Sequence, residues 1–343
     1  MTPTAGLGTA FVPEPAVDQG DPFLLEVPAG QRSAGVFRFY VYVSAAGFPV
    51  YGSDDLLDPA GWQRVGDSYP GLGVDPWCWA PCVRYLPGLP RPWVMLYSRA
   101  RGAGEPEGHQ QHRLRRADSS SPAGPFADSG EVLTPDLDFA IDPDVCADAS
   151  GVRWLYFATD FVDDEPYGTG IVRARISADL RRLESGPEVI ARPRAQWQLY
   201  DAHRSMPWKD IPGVRWDRAE TVRWSTIEGP AVLTSPGGRE VVLYSGGNFA
   251  DFYGIGVIAR EPGGGQWLDL SPTPAASLLG PDPAAGLFGP GHCSVLTSDG
   301  RPYLCYHFRS SPAAVRQFSV AALRWEPGTD LPRLAVPQPQ RSD

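Results

Sequence analysis

Apolar residues along this chain gather in short runs bounded by Gly, Pro, Asp and Ser, and helical spacing is scarce. Runs of that kind, rich in Tyr, Trp and Val, predict β-strands. One design then recurs: a polar or Pro-containing start, a first strand, a turn, a second aromatic-rich strand, and a small residue. It begins at Asp21-Pro22-Phe23-Leu24-Leu25, Ala80-Pro81-Cys82-Val83-Arg84, Asp142-Pro143-Asp144-Val145-Cys146, Glu228-Gly229-Pro230-Ala231-Val232 and Gly291-His292-Cys293-Ser294-Val295. The second strands read Phe39-Tyr40-Val41-Tyr42-Val43-Ser44, Trp93-Val94-Met95-Leu96-Tyr97-Ser98, Trp154-Leu155-Tyr156-Phe157-Ala158, Val241-Val242-Leu243-Tyr244-Ser245 and Tyr303-Leu304-Cys305-Tyr306-His307. Ser150-Gly151, Gly237-Gly238 and Asp299-Gly300 supply hairpin turns between them.

A five-fold repeat of an antiparallel unit predicts an all-β, five-bladed β-propeller. One such sheet exposes both faces, and stacking five around an axis buries them. A sandwich also has many short strands, but it would not repeat the same starting motif. A length of 343 residues admits two domains by the usual prior, and one if the fold is a closed all-β ring. The repeat favours a single domain over 1–343, with blades at approximately 18–326 and Pro-rich ends at 1–17 and 331–343. The third and fourth repeats are the most widely separated, by an insertion at roughly 193–223 that carries Trp208 and Trp216.

Composition narrows the setting. Gly and Pro number 38 and 37, which suits a turn-rich chain, while 42% hydrophobic residues exclude wholesale disorder. A net charge of −10 without a basic cluster argues against a nucleic-acid partner. Lys209 is the sole lysine, and the scattered arginines read as compositional bias. The five cysteines (Cys78, Cys82, Cys146, Cys293 and Cys305) lack zinc-type spacing and read as free, mostly buried thiols. No apolar stretch is long enough to span a membrane. The N-terminus shows no basic segment followed by an apolar run. A cytoplasmic protein is the expectation, or a secreted one if a leader has been trimmed.

Three repeat starts carry an acid: Asp21, Asp142 and Glu228. In a propeller the starts of the first strands converge on the axis, so these three would meet. Two carboxylates flanking a pocket suit glycoside hydrolysis, one protonated to donate to the leaving oxygen and one ionised to act on water or carbon. A third would hold the donor and raise its pKa by like-charge repulsion. The competing reading for any one of them is a turn residue.

These motifs resemble those of the family-43 glycoside hydrolases, five-bladed propellers that include arabinanases, arabinofuranosidases and xylosidases. Gly20-Asp21-Pro22 is similar to the motif bearing the catalytic base. Ile141-Asp142-Pro143-Asp144-Val145 resembles that of the auxiliary aspartate, and Ile227-Glu228-Gly229-Pro230 that of the general acid. Trp79-Ala80-Pro81-Cys82-Val83 is similar to the second-blade signature, with Cys82 where an acid or other polar residue commonly stands. Gly289-Pro290-Gly291-His292-Cys293-Ser294 resembles the fifth-blade motif whose histidine lies on the axis. The resemblance implies an inverting hydrolase of arabinofuranosyl or related pentose or furanose linkages, acting on a carbohydrate or glycosylated small molecule without a required cofactor. In arabinanase-like members the axial histidine helps hold a hydrated calcium or similar ion. That makes a Ca2+ near His292 an expectation too, although Cys293 replaces the Asn that often follows.

Other side chains are weaker candidates. Phe23 and Trp79 either stack on a sugar ring or line the channel. Trp208 and Trp216 are candidates for a cleft wall, Asn248 and Arg309 for polar sugar contacts. His109, His112 and His203 read as solvated loop residues. The alternatives to a hydrolase are an inverting glycoside phosphorylase, which would want a cationic phosphate pocket, and a catalytically silent carbohydrate-binding propeller.

Overall fold

The computed structural model describes residues 9–10, 17–73, 75, 77–100 and 111–335. Among these, the regular elements are β-strands joined by single turns of 3-10 helix, and no helix is long and apolar enough to cross a membrane. His109 and most of loop 101–116 lie outside the described residues, as does much of the two Pro-rich ends.

The strands form successive antiparallel groups that follow the sequence repeats. The first comprises Gly20–Glu26, Phe39–Ser44, Pro49–Ser53 and Gln63–Asp67, and the second Cys78–Tyr85, Trp93–Ala100, His112–Ser119 and Ala127–Val132. The third holds Ile141–Ala147, Arg153–Phe161, Gly168–Arg175 and Glu188–Ala191; the fourth holds Val222–Thr234, Glu240–Gly247, Tyr253–Arg260 and Leu268–Asp269. A short parallel bridge, Gly168 to Ser225 and Thr169 to Thr226, fuses these two groups, together with Leu199–Arg204 paired to Val222–Ser225, into one nine-stranded sheet. The last group is Phe288–Ser298, Arg301–Arg309 and Gln317–Glu326, joined by two flanking strands. Thr9–Ala10 pairs with Ser319 and Val320, and Leu331–Leu334 pairs with Leu323–Glu326. Regular pairing thus reaches beyond 18–326 into both ends that the sequence assigns as Pro-rich tails.

First strands touch first strands in cyclic order, and Phe288–Ser298 returns to Gly20–Glu26. Apolar clusters fill the gaps between neighbouring groups. Tyr156, Ile171, Ile227 and Val242 pack between the third and fourth, and Leu24, Val41, Cys305 and Phe318 between the last and first. This is a propeller arrangement, with its core distributed between sheets.

Every first strand carries the same defect. Its register with the second strand shifts between Gly20 and Phe23, Trp79 and Cys82, Ile141 and Asp144, Glu228 and Ala231, and Gly291 and Ser294. The residue inside each shift has a left-handed backbone: Asp21 (φ 50°), Ala80 (50°), Asp142 (60°), Gly229 (59°) and His292 (42°). A bulge re-aims a side chain and leaves its N–H outside the ladder. The preceding group catches that N–H in four cases, the Gly229 N–H going to Asp142 Oδ2 at 3.0 Å. Ala80 N–H donates to Ser44 Oγ at 2.7 Å, His292 N–H to Ser245 Oγ at 2.6 Å, and Asp21 N–H to His307 Nδ1 at 3.1 Å. The last bond closes the ring between the final and first groups.

Candidate active site

The bulged ends of the first strands open on a cleft of about 630 Å³, within the usual range for small-molecule sites. Asp21, Asp142 and Glu228 all line it. The three acids that the sequence singles out therefore converge.

Each is held differently. Asp21 Oδ1 lies 3.1 Å from the Arg316 guanidinium, 3.3 Å from His292 Nδ1 and 3.7 Å from His307 Nδ1. Burial opposes its charge, but His292, Arg316 and His307 outweigh burial and hold the carboxyl below the usual range. Glu228 is governed mainly by burial. A hydrogen bond from Tyr253 Oη at 2.7 Å favours its charge and Asp21 disfavours it, leaving a pKa of about 7. Asp142 is also raised, first by burial, then by the charges of Glu228 and Asp21. Its Oδ2 accepts the Gly229 N–H at 3.0 Å, which pins the bulge next to Glu228.

The register separates Glu228 from the other two. Asp21, Asp142 and His292 occupy the left-handed bulge position, whereas in the fourth strand Gly229 does. Glu228 pairs with Ser245 one step earlier, at the position held elsewhere by Gly20, Trp79, Ile141 and Gly291. The sequence reading placed all three acids at equivalent positions; the bulge corrects it for Glu228.

Trp79 lines the cleft and stacks on His112 with ring centroids 3.9 Å apart. His112 is fully buried, not solvated as the sequence suggested, because it forms the back of that stack. Phe23 does not reach the cleft. It is buried beneath it beside a space of about 20 Å³, with the Arg84 guanidinium 4.7 Å from its ring, so it lines the axial channel. Asn248 and Arg309 are not cleft-lining residues either. Asn248 Nδ2 donates to the Tyr200 carbonyl at 2.9 Å, and Arg309 donates to the Phe249 carbonyl. They hold two residues that do line it, Tyr200 and Phe249. In the insertion Trp208 faces the cleft, while Trp216 packs behind and donates to the Lys209 carbonyl at 2.7 Å. His203 is exposed.

A sequence model of glycosyl hydrolases family 43 matches residues 28–329. The chain belongs to glycosyl hydrolase family 43. It is therefore a glycosidase whose substrate is a carbohydrate. The matched span includes Asp142, Glu228 and His292; Asp21 precedes it. The fold is similar to that of a thermostable family-43 glycoside hydrolase, with a TM-score of 0.69 and 26% identity over 98% of this chain and 100% of the other. It is also similar to the α-L-arabinofuranosidase from Lactobacillus brevis (TM-score 0.69, 18% identity, 97% and 98% covered). The endo-arabinase from Bacteroides thetaiotaomicron VPI-5482 gives a TM-score of 0.66 at 21% identity, covering 93% and 99%. Comparison with curated proteins finds no match.

This family 43 site contains three side chains that motif reading missed. Arg316 comes from a loop without a motif, and its guanidinium bridges Asp18 at 2.6 Å and Asp21 at 3.1 Å. Gly20 makes room for it: a Cβ there would fall 2.0 Å from Arg316 Cζ. His307 lies opposite Gly291 in a second strand where the other repeats have Ser44, Ser98, Ala158 and Ser245, and that break in the pattern was its signal. Tyr253 lies parallel to the His307 ring, at 7° and 5.8 Å, and Gly291 admits it because a Cβ would sit 2.1 Å from the Tyr253 ring.

The donor set beside His292 does not fit calcium. A hard cation takes six to eight oxygens, and among the described residues no group of three or more His, Cys, Asp or Glu side chains is arranged to hold a metal. His292 Nδ1 faces Asp21 and, at 4.0 Å, Asp142 Oδ2, and Arg316 already supplies fixed positive charge there.

Proposed function

We propose that the chain is a single-domain, five-bladed, inverting glycosidase that releases arabinofuranosyl or related pentose units. The blade count is supported by the five bulged first strands in cyclic contact. The observation that carries the chemistry is one cleft in which Asp21 is held ionised while Glu228, with a pKa of about 7, still carries its proton in a large fraction of molecules at neutral pH. Opposed protonation states on two carboxyls are what acid-base cleavage of a glycoside needs.

Asp21 accepts a proton from a water as its oxygen attacks the anomeric carbon. Glu228 donates its proton to the glycosidic oxygen on the opposite face, and that C–O bond breaks. One displacement inverts the anomeric centre, and inverting glycosidases in general keep the two carboxyls roughly 6.5–9.5 Å apart to admit the water. Asp142 acts as a positioning residue, through the Gly229 N–H that its carboxyl accepts beside Glu228. Arg316 and His292 keep Asp21 ionised. Trp79 and Trp208 supply apolar faces for sugar rings. The pentose preference rests on the arabinofuranosidase and endo-arabinase among similar structures. The five cysteines are unpaired thiols, which suits a reducing compartment.

Hydrolysis of aryl arabinofuranosides and aryl xylosides, followed by proton NMR of the first-formed anomer, tests this reading. Release of the inverted sugar is the expected result. Retention of configuration, or cleavage that requires inorganic phosphate, overturns it.

A further inference from the structure

The cleft-lining carboxylates outside the catalytic trio each have their own cation. Asp18 pairs with Arg316 at 2.6 Å, Asp75 with Arg99 at 3.0 Å, and Asp160 with Lys209 at 3.1 Å. Arg204, on the insertion wall, is different. Its guanidinium lies 4.9 Å from the Tyr200 ring centroid and 5.0 Å from that of Trp224. Among the described residues, no carboxylate pairs with it and no side-chain hydrogen bond engages it. Packing against two aromatic rings fixes the guanidinium and leaves donors at its edge for an acceptor. Arg204 lines the cleft and is only partly buried, so a ligand there can reach it.

Its position selects which part of a substrate it meets. The strand Leu199–Arg204 pairs with Val222–Ser225, and that second strand runs straight on to Glu228. Arg204 is close enough to favour the ionised form of Glu228. The proton donor faces the leaving oxygen, so the wall beside it meets the leaving sugar. A single guanidinium matches a single carboxylate in two parallel N–H···O bonds. A phosphate dianion would face stronger repulsion from Asp21 and, among the described residues lining the cleft, finds one unclaimed cation to offset it.

We propose that Arg204 selects substrates whose leaving sugar is a uronic acid, by binding its carboxylate. This rests on the glycosidase reading above and names the substrate class.

The test uses disaccharides in which xylose or arabinofuranose is linked to glucuronic acid, each matched to the same sugar on glucose. The members of a pair differ only at the carboxylate. Binding is measured calorimetrically on Glu228→Gln, and kcat and KM on the parent, Arg204→Gln and Arg204→Lys. The acidic member is expected to bind about tenfold tighter or more, as suits a hydrogen bond to a charged group. The preference should sit in KM, shrink with salt, survive in part in Arg204→Lys and fall toward unity in Arg204→Gln. Equal binding of a matched pair, or a preference that persists in Arg204→Gln, overturns the proposal. Inorganic phosphate competing as strongly as glucuronate overturns the choice of carboxylate. If the parent cleaves neither these disaccharides nor aryl glycosides, the glycosidase reading fails, while binding to Glu228→Gln still decides the role of Arg204.

Discussion

The floor of the cleft and its insertion wall use the same kinds of side chain, acids and arginines beside aromatic rings, under opposite constraints. On the floor, Asp21, Asp142, Gly229 and His292 occupy a bulge that recurs in every first strand, and each has a backbone N–H or carboxylate engaged across the ring. Arg316 is clamped between Asp18 and Asp21. The wall occurs once. Met206, Ile211, Val222 and Trp224 form a small local core for it, and among the described residues Arg204 has no carboxylate partner. Repetition around an axis fixes geometry closely enough for proton transfer, where small displacements are costly. A single excursion tolerates change, which suits recognition of variable substrates.

The contrast predicts a split in kinetics. Asp21→Asn and Glu228→Gln should each lower kcat by at least about 10³, within the range for loss of a general acid or base. Trp208→Ala on the wall should raise KM by about tenfold and change kcat far less. For the parent, kcat/KM should fall as pH rises through about 7, where Glu228 loses the proton it must donate. The acid limb should lie below the usual carboxylate range, because Asp21 ionises early. Initial rates from pH 3 to 9 on an aryl glycoside check both expectations: a fall through about 7, and no acid limb within the usual carboxylate range. A floor variant that acts mainly on KM would break the comparison.

A second, smaller effect sharpens it. Gly20→Ala places a Cβ where the Arg316 guanidinium now lies. The end of a flexible side chain can swing aside, so the fold should survive with little loss in thermal midpoint. Asp21 would lose its fixed cation, and the acid limb of the pH profile should move upward as base strength and orientation change together. We expect kcat to fall by about tenfold. An unchanged acid limb would mean that His292 suffices to hold Asp21 ionised.

Strand positions and the acids at 21, 142 and 228 were legible because the repeat prints them in order along the chain. Their shared pocket follows from topology once the repeat is recognised. The register offset at Glu228 was not legible, since Glu-Gly and Asp-Pro look alike as strand starts while only the pairing reveals which residue takes the left-handed position. Arg316 was hidden in a loop whose partners lie 295 to 298 residues away in sequence. Asn248 and Arg309 were misread for a related reason. A polar residue near a strand end satisfies a neighbouring carbonyl as readily as a ligand, and here each holds a cleft residue in place. Phe23 sits at the right end of the right strand, yet the bulge at Asp21 turns it into the channel.

Ala80 allows the floor to be tested without touching chemistry. It has the same left-handed backbone as Asp21, Asp142 and His292, but it lines only the small axial space and its N–H is held by Ser44. Replacing it with glycine relieves a Cβ clash of about 1–2 kcal/mol. Against that stand the loss of a buried methyl, about 0.8 kcal/mol, and a backbone entropy cost of about 0.5–1 kcal/mol. The contributions oppose, so Ala80→Gly should change stability by less than about 1 kcal/mol. Ala80→Val should cost about 2 kcal/mol or more, because a β-branched side chain adds its own clash in that region. Urea denaturation measures both variants. If valine is tolerated as well as glycine, the second bulge is not held in its left-handed form, and the floor is less tightly fixed than the repeated geometry requires.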